Sequence, residues 1–172
     1  EGVPDIYIAM GQTAENVVEQ TGISRERQDE WGVSSQNRAE AALNRGFFER
    51  EITPYTLPDG TVVSTDDGIR AGTTLEKVSQ LQPAFRPGGT VTAGNACPLN
   101  DGASAVVVMS DTKAKAMGLE PIARIISSGV SALNPEIMGL GPVEATKQAL
   151  RRAGLTMKDI DLVEINEAFA VQ

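Results

Sequence analysis

The second half of the chain alternates short apolar runs with helix-like segments. Residues 104–109, 121–127 and 159–165 are apolar runs of strand length, and we expect them to form strands. Helices are predicted between them at 111–118 and 142–154. Pro142 opens the second of these helices and Gly154 lies just past its end, an asymmetry typical of helices. Strands alternating with helices indicate the α/β class.

The first half has a different pattern, dominated by helices. One helix is predicted from a cap at Thr13 to a stop at Gly22, and a longer one from a cap at Ser24 to Gly46. Trp31, Ala39, Ala42 and Leu43 would form a modest apolar face on the longer helix. A glycine inside this helix, at position 32, costs about 1 kcal/mol of helix propensity, so packing must compensate for it.

Turn-forming residues dominate the stretch between these halves. Leu57-Pro58-Asp59-Gly60 predicts a turn joining two short strands, and Thr74 to Leu81 predicts one or two helical turns. The following stretch, 82–104, is rich in Gly, Pro, Asn and Thr. Because loops this long in compact domains are often functional, this stretch is a candidate site.

Composition and charge exclude several classes of protein. A hydrophobic content of 41% is enough for a hydrophobic core. Aromatic residues are only 4% of the chain, so aliphatic side chains must form most of that core. The net charge of −8 argues against nonspecific binding to nucleic acid. The longest apolar run, 105–109, is too short for a membrane span, and residues 1–5 show no signal peptide. We therefore expect a cytoplasmic protein.

The inventory of reactive side chains is small. The chain has one cysteine and no histidine, so it cannot form an internal disulfide and a zinc cluster is implausible. Cys97, the only thiol, lacks a histidine base. A small buried thiol is the favoured interpretation of this residue, ahead of a nucleophile.

Two polar residues are further candidates. Asn166 directly follows the last predicted strand, and ligands of open α/β proteins gather at such carboxyl ends. Its carboxamide could hold a water or stabilise negative charge, or it could cap a following helix, with Glu167 in the first turn. On spacing alone the cap is favoured. Arg70, in a glycine-flanked loop, could bind a phosphate or pair with Asp66 or Asp67.

Taken together, several stretches resemble the thiolases, the enzymes of the acetyl-CoA acetyltransferase and 3-ketoacyl-CoA thiolase type. The matching stretches occur in family order and cover nearly the whole chain; they are MGQTAENV, GISRERQDEW, SQNRAEAA, PAFRPGGTVTAGNACPLNDGASAVVVMS, IMGLGPVEATKQAL and LVEINEAFA. The last stretch and GTVTAGN…LNDGA are together highly specific. Ketoacyl synthases are more distant relatives and rank low, since a histidine would be expected at position 166.

The resemblance implies an α/β thiolase-like fold, layered αβαβα, partial here and with a loop-domain insertion. By this likeness, residues 1–84 correspond to the latter part of the N-terminal half with the loop domain. Residues 85–119 correspond to the end of that half, and residues 120–172 to the start of the C-terminal half. Both ends look cut, so the chain is expected to be an internal part of a thiolase.

The resemblance also implies an activity: Claisen condensation of acyl-CoA, or thiolytic cleavage of 3-ketoacyl-CoA. In the family a cysteine is acylated, a second cysteine moves a proton, and two oxyanion holes stabilise negative charge. By resemblance Asn166 is the asparagine that holds a water in one oxyanion hole. The nucleophile is expected upstream of this chain, and the histidine and second cysteine downstream, so the chain alone should be inactive.

The resemblance also identifies residues that would contact coenzyme A, which is expected as a substrate. No prosthetic group and no metal are expected. Arg70 resembles the arginine that meets the nucleotide end. The other residues that resemble coenzyme A contacts are Phe85, Ala93, Cys97, Met138 and Phe169. The resemblance implies a homodimer or homotetramer for the full-length protein, in fatty acid or lipid metabolism, with no nucleic-acid or membrane partner. The alternative is a non-catalytic CoA-binding or assembly module on the same scaffold.

Overall fold

The computed structural model describes residues 5–172, which divide into two compact units. The first unit comprises the chain up to Pro98 together with Asn134–Gly139 and Asn166–Gln172. The second comprises Leu99–Leu133 and Leu140–Ile165. The first unit therefore collects segments that are distant in sequence, and it contains every residue of the candidate site.

Two helices dominate the first unit, α1 at Met10–Thr21 and α2 at Arg25–Asn44. The predicted boundary between them is confirmed: Gly22 adopts φ 68° at the end of α1, and the Ser24 hydroxyl accepts a hydrogen bond from the Arg27 N–H. The predicted start of α1 is wrong. The helix begins one turn earlier because Thr13 lies inside it and donates its hydroxyl to the Met10 carbonyl at 2.7 Å.

A short hairpin and a single helical turn follow. A 3₁₀ helix at Phe47–Arg50 leads to β1 at Tyr55–Thr56 and β2 at Val62–Val63, which pair antiparallel. The predicted turn between the strands is confirmed, with Gly60 at φ 87°. Helix α3, Leu75–Val78, is capped by the Thr74 hydroxyl.

The core of the first unit combines small apolar residues with buried polar ones. The buried apolar side chains are Ala14, Val17, Ala42, Val78, Val91 and Val171, and the buried polar ones are Thr13, Glu15, Gln28, Asp29, Thr92 and Asn95. The predicted apolar face of α2 is only partly correct, since Trp31 and Leu43 are 46% and 42% exposed. Buried polar groups need hydrogen-bond partners, so directed bonds as well as apolar burial define this core.

The N-terminal end of α2 organises one part of that network. The Arg25 guanidinium pairs with Asp29 at 2.7 Å and donates to the carbonyls of Val78 and Leu81 at 3.1 and 3.0 Å. Asp29 in turn accepts a hydrogen bond from the Asn95 amide at 2.9 Å. This network joins α2 to the end of α3 and to the loop around Asn95.

The second unit is built around α5, Gly141–Ala153, with α4 at Asp111–Ala116 and a 3₁₀ turn at Met157–Asp159. The Ser110 hydroxyl caps α4. The predicted signals of α5 are confirmed, since Pro142 lies in its first turn and Gly154 ends it at φ 70°. Residues 127–131 run against α5. The hydroxyl of Ser127 donates to the Ala149 carbonyl at 2.8 Å, and a Cβ at Gly129 would collide with the Ala145 carbonyl.

The three strands predicted in the second half are wrong as assigned. Residues 104–109, 121–127 and 159–165 form no strand, and β1–β2 is the only sheet within residues 5–172. Most of their apolar side chains are exposed; Val107 is 85% and Ile122 is 105% accessible. A strand is defined by hydrogen bonds to a neighbouring strand, and these segments find none among the described residues.

A 3₁₀ helix at Pro135–Leu140 completes the described elements. No helix in the range 5–172 is both long enough and apolar enough to cross a membrane.

Candidate functional site

A cleft of about 570 Å³ lies within the first unit. It is lined by one face of α2, the loop before α3, the end of α3, the loop 93–98 and two residues near the end of the chain. The lining residues used below are Ser35, Gln36, Arg70, Gly72, Lys77, Ala93, Gly94, Asn95, Cys97, Glu167 and Ala170. Three residues singled out by resemblance, Arg70, Ala93 and Cys97, thus lie on one cleft.

The basic side of the cleft is a loop held against α2. The Arg70 N–H donates to the Gln36 side-chain oxygen at 2.8 Å, and the Gly72 N–H donates to Glu40 at 2.9 Å. The Arg70 guanidinium donates to the Asp67 carbonyl at 2.7 Å and forms no ion pair with a carboxylate among residues 5–172. Arg70 and Lys77 therefore place two positive charges on the cleft of an acidic chain, an arrangement suited to an anionic ligand.

The start of the loop at Thr90 is held by the side chain of Glu15 on α1. The Glu15 carboxylate accepts the backbone N–H groups of Thr90 and Val91, each at 2.9 Å. It packs so closely on Gly89 that a Cβ there would collide with it. Glu15 is 3% exposed, so these bonds form out of water, where an unpaired carboxylate would be costly.

A compact turn carries the loop into the cleft. The Asn95 side chain accepts the Thr92 N–H at 2.8 Å and donates to Asp29 and to the Thr90 carbonyl. Glycine is needed where this turn meets α2, because a Cβ at Gly32 would collide with the Gly94 carbonyl. The unfavourable glycine inside α2 is thus explained by close helix–loop contact.

The segment from Asn166 to Ala170 is bound to the same loop. The Cys97 N–H donates to the Ala168 carbonyl at 3.0 Å, and the Ala170 N–H donates to the Asn95 carbonyl at 2.9 Å. These bonds make an isolated antiparallel bridge between Ala96 and Phe169. The end of the described chain is therefore attached to the cleft by backbone pairing.

Asn166 itself is exposed, and its side chain has no hydrogen-bond partner among residues 5–172. The interpretation as a helix cap is wrong for the described residues, because a bridge at Phe169 and a turn follow it, not a helix. Asn166 does not line the cleft, whereas its neighbour Glu167 does. The carboxamide is free to bind a ligand or a water from solvent.

Cys97 is exposed, so its interpretation as a buried thiol is wrong. Its backbone pairs with Ala168, which holds the residue at the surface of the cleft where the loop 93–98 ends. The chain has no histidine to act as a base for this thiol.

The remaining predicted contact residues lie outside the cleft lining. Phe85 and Phe169 pack edge to face at 6.0 Å, and the Phe85 ring covers Gly11, where a Cβ would collide with it. Met138 lies in the 3₁₀ helix Pro135–Leu140 and is 51% exposed. The structure thus groups Phe85 with Phe169 and does not bring Met138 to the cleft.

Residues 5–172 contain no cluster of three or more potential metal ligands. The pKa values of Asp59 and Asp159 are lowered by hydrogen bonds from the backbone of Thr61 and Thr156, respectively. Neither carboxylate lines the cleft.

The sequence patterns do not identify several residues of the site. Glu15 bonds Thr90 and Val91, and Asp29 bonds Asn95, across long sequence separations that no local pattern encodes. Glu15 has one indirect signal: it stands between Ala14 and Val17 on the buried face of α1, where an acidic residue needs a partner. Glu167 is predicted only as a first-turn charge, whereas the structure places it in the lining of the cleft.

Comparisons with known proteins point to one family. The sequence profile of the thiolase N-terminal domain matches residues 2–112, and that of the thiolase C-terminal domain matches residues 119–172. The chain is 53% identical to the acetyl-CoA acetyltransferase of Cupriavidus necator, aligned over 100% of its own length and 45% of that relative.

Solved structures give the same result. Human mitochondrial 3-ketoacyl-CoA thiolase superposes with a TM-score of 0.86 at 44% identity, over 98% of this chain and 43% of that one. The dimeric peroxisomal thiolase of Saccharomyces cerevisiae superposes with a TM-score of 0.88 at 42% identity, over 96% and 42%. The fold is therefore thiolase-like and partial, and the chain spans less than half the length of these relatives. With both of its halves matched by thiolase profiles, the chain belongs to the thiolase family.

Proposed function

We propose that this chain is the central part of an acyl-CoA C-acyltransferase, which condenses acyl-CoA units or cleaves 3-ketoacyl-CoA with coenzyme A. The observation that carries the proposal is the backbone bridge between residues 95–97 and 168–170. This bridge attaches the Asn166 segment to a cleft that bears Arg70 and Lys77. Two basic side chains in a cleft next to an exposed carboxamide suit a phosphorylated thioester substrate.

The proposed roles follow from position. Arg70 and Lys77 attract the phosphates of coenzyme A, and Ala93 and Cys97 line the path of its pantetheine arm. The Asn166 carboxamide holds a water that donates a hydrogen bond to the thioester oxygen as negative charge develops there. The aromatic pair Phe85–Phe169 supports the bridge. Met138 is proposed as a further contact of the pantetheine arm.

We also propose that the 172-residue chain has no thiolase activity by itself. Its single cysteine lacks a base, and it has no histidine. Acylation needs a nucleophilic thiolate, and moving the α-proton needs an acid–base group. We propose that the nucleophilic cysteine, the histidine and the acid–base cysteine all lie outside these residues in the complete protein.

An exchange experiment tests the proposal. The acetyl-CoA acetyltransferase of Cupriavidus necator aligns with the whole of this chain at 53% identity. In a hybrid enzyme, the aligned segment of that protein is replaced by these 172 residues. Loss of the acetoacetyl-CoA absorbance on addition of coenzyme A is then followed for the hybrid and for the chain alone. The expected result is turnover by the hybrid and none by the chain.

Two outcomes would contradict the proposal. Thiolysis by the chain alone would show that its own residues suffice for the chemistry. A hybrid that folds and binds coenzyme A but does not turn over would favour a non-catalytic CoA-binding or assembly module. The absence of histidine alongside a well-formed cleft is the observation in favour of that second function.

The proposal extends to the oligomeric state, location and partners of the complete protein. We propose a cytoplasmic homodimer or homotetramer in fatty acid or lipid metabolism, with coenzyme A and acyl-CoA as substrates and no prosthetic group. A net charge of −8 supports the absence of a nucleic-acid partner. The dimeric yeast thiolase supports the homodimer. Sedimentation of the complete protein measures its oligomeric state.

A further inference from the structure

The carboxylate of Glu167 is held by two side chains of α2. The Trp31 indole N–H donates to one oxygen at 2.9 Å, and the Ser35 hydroxyl donates to the other at 2.5 Å. We call these three residues, Glu167, Trp31 and Ser35, the Glu167 clamp. It joins positions that are 136 and 132 residues apart in sequence.

Helix geometry explains why both carboxylate oxygens of Glu167 accept a hydrogen bond. Trp31 and Ser35 are four residues apart in α2, so their side chains lie on one face, one turn apart. Both are neutral donors and Glu167 is an anionic acceptor. Hydrogen bonds to an ionised group are roughly twice as strong as neutral ones. The charge of Glu167 therefore strengthens the clamp relative to a contact between uncharged side chains at the same exposed site.

The helix that supplies the donors is itself fixed to the cleft. Gly32, between the two donors, lies against the Gly94 carbonyl with no room for a Cβ. Asn95 and Cys97, which follow Gly94, pair with Ala170 and Ala168. Helix α2, the loop 92–97 and the segment 167–170 thus form a closed ring of contacts within the first unit.

Asn166 is the residue next to this ring, and its own side chain makes no hydrogen bond within residues 5–172. The residues that follow Asn166 are fixed by backbone hydrogen bonds at Ala168 and Ala170. The Glu167 clamp is formed by the residue that directly follows Asn166 in sequence. Beyond Glu167, the segment is held by the backbone bond at Ala168.

We propose that Glu167 is a positioning residue: held by Trp31 and Ser35, it sets the place of the Asn166 carboxamide in the reaction. This inference rests on the proposed function of Asn166. Glu167 touches no reacting atom in this account. Its effect passes through Asn166, so its loss should lower kcat more than it raises the KM for coenzyme A.

A double-mutant cycle in the hybrid enzyme tests this. Glu167→Ala is expected to lower kcat by about 10- to 100-fold, the cost of a small misplacement of a catalytic group. In an Asn166→Ala background the same change should cost less than about threefold, since residues acting as one unit are not additive. Trp31→Phe combined with Ser35→Ala should reproduce Glu167→Ala, because it removes the same two hydrogen bonds.

Glu30→Gln is the matched control. Glu30 is an exposed carboxylate next to Trp31 on α2. Its hybrid should keep the parent kcat. A parent-level kcat for Glu167→Ala, or an equal loss in both backgrounds, would overturn the positioning role. If Asn166→Ala alone leaves kcat unchanged, the proposed function of Asn166 fails, which is a different result.

The clamp can also be observed directly. Trp31 is the only tryptophan of the 172-residue chain, so the tryptophan emission reports on the surroundings of this one indole, which include Glu167. Glu167→Ala in the 172-residue chain should change that emission and increase hydrogen exchange at residues 166–172, while Glu30→Gln should change neither. Unchanged emission and exchange in Glu167→Ala would show that the contact does not hold the segment.

Discussion

Glu15 on α1 and Val91 in the cleft loop are joined by a hydrogen bond of 2.9 Å although 76 residues separate them. The carboxylate also accepts the N–H of Thr90, so it replaces a neighbouring strand for two consecutive backbone donors. The loop that carries Ala93, Asn95 and Cys97 into the cleft thus begins at a buried side chain.

We expect Glu15→Ala to destabilise the protein by about 3 kcal/mol, because the buried N–H of Val91 and the part-buried N–H of Thr90 lose a charged acceptor. Guanidinium chloride unfolding followed by circular dichroism measures this. Glu19→Ala, on the same helix but with a side chain 69% exposed, is the control and should cost less than about 1 kcal/mol. Equal unfolding midpoints for Glu15→Ala and the parent would contradict this role.

Gly32→Ala should lower stability even though alanine is the better helix former. The added Cβ collides with the Gly94 carbonyl, and overpacking of this kind costs about 1–3 kcal/mol. Asn37→Ala, at an exposed position of the same helix, should stabilise slightly or have no effect. A gain in thermal midpoint for Gly32→Ala would show that the helix and loop are not in close contact.

Gln36→Ala should weaken coenzyme A binding without slowing the chemistry. It removes the acceptor that holds the Arg70 backbone, so the loop would lose order that binding must then restore. In the hybrid enzyme we expect the KM for coenzyme A to rise about three- to tenfold at constant kcat.

A neighbouring amide on the same helix supplies the control for this prediction. Asn37→Ala leaves the acceptor of the Arg70 N–H in place and the charge of the cleft unchanged, and it should stay within about twofold of the parent KM. If both variants raise KM equally, or if Gln36→Ala lowers only kcat, the loop is not positioned in this way.

The turn that precedes the apolar segment 159–165 should depend on pH. Asp159 accepts hydrogen bonds from the backbone N–H and the hydroxyl of Thr156, both at 2.8 Å, and these lower its pKa. A depressed folded-state pKa stabilises the turn above the unfolded pKa of the carboxyl group, and that stability is lost as pH falls through the folded value.

An NMR titration of the Asp159 carboxyl group and the Thr156 amide checks this. Both signals should share one midpoint below that of a short peptide with the same sequence. Thr156→Val, which removes the hydroxyl, should raise the midpoint partway toward the peptide. A midpoint equal to that of the peptide in the parent chain would contradict the assigned hydrogen bonds.

Local signals predicted the helices well because helix ends are encoded by neighbouring residues. Ser24 and Ser110 cap with their own hydroxyls, and Gly22 and Gly154 adopt the left-handed conformation that ends a helix. Strands depend on partners elsewhere. The runs around Val107 and Ile122 have strand composition, yet nothing within residues 5–172 pairs with them.

The candidate site shows the same division. Arg70 and Cys97 could be identified by their resemblance to thiolase motifs, and both line the cleft. The bonds that build the cleft could not be identified. Glu15 meets Val91, and Trp31 meets Glu167, across separations of 76 and 136 residues that no local pattern encodes. The prediction of a buried Cys97 thiol is wrong because it rests on the usual burial of free cysteines, whereas here backbone pairing with Ala168 holds the residue at the surface.

The most direct test of the account is the turnover of the hybrid enzyme with Asn166→Ala, measured beside Asn37→Ala as a control asparagine on exposed helix surface. Removing one oxyanion-hole group typically costs about 10²- to 10³-fold in kcat, and we expect a loss of that size with little change in the KM for coenzyme A. Parent-level turnover in Asn166→Ala would show that this carboxamide takes no part in the reaction.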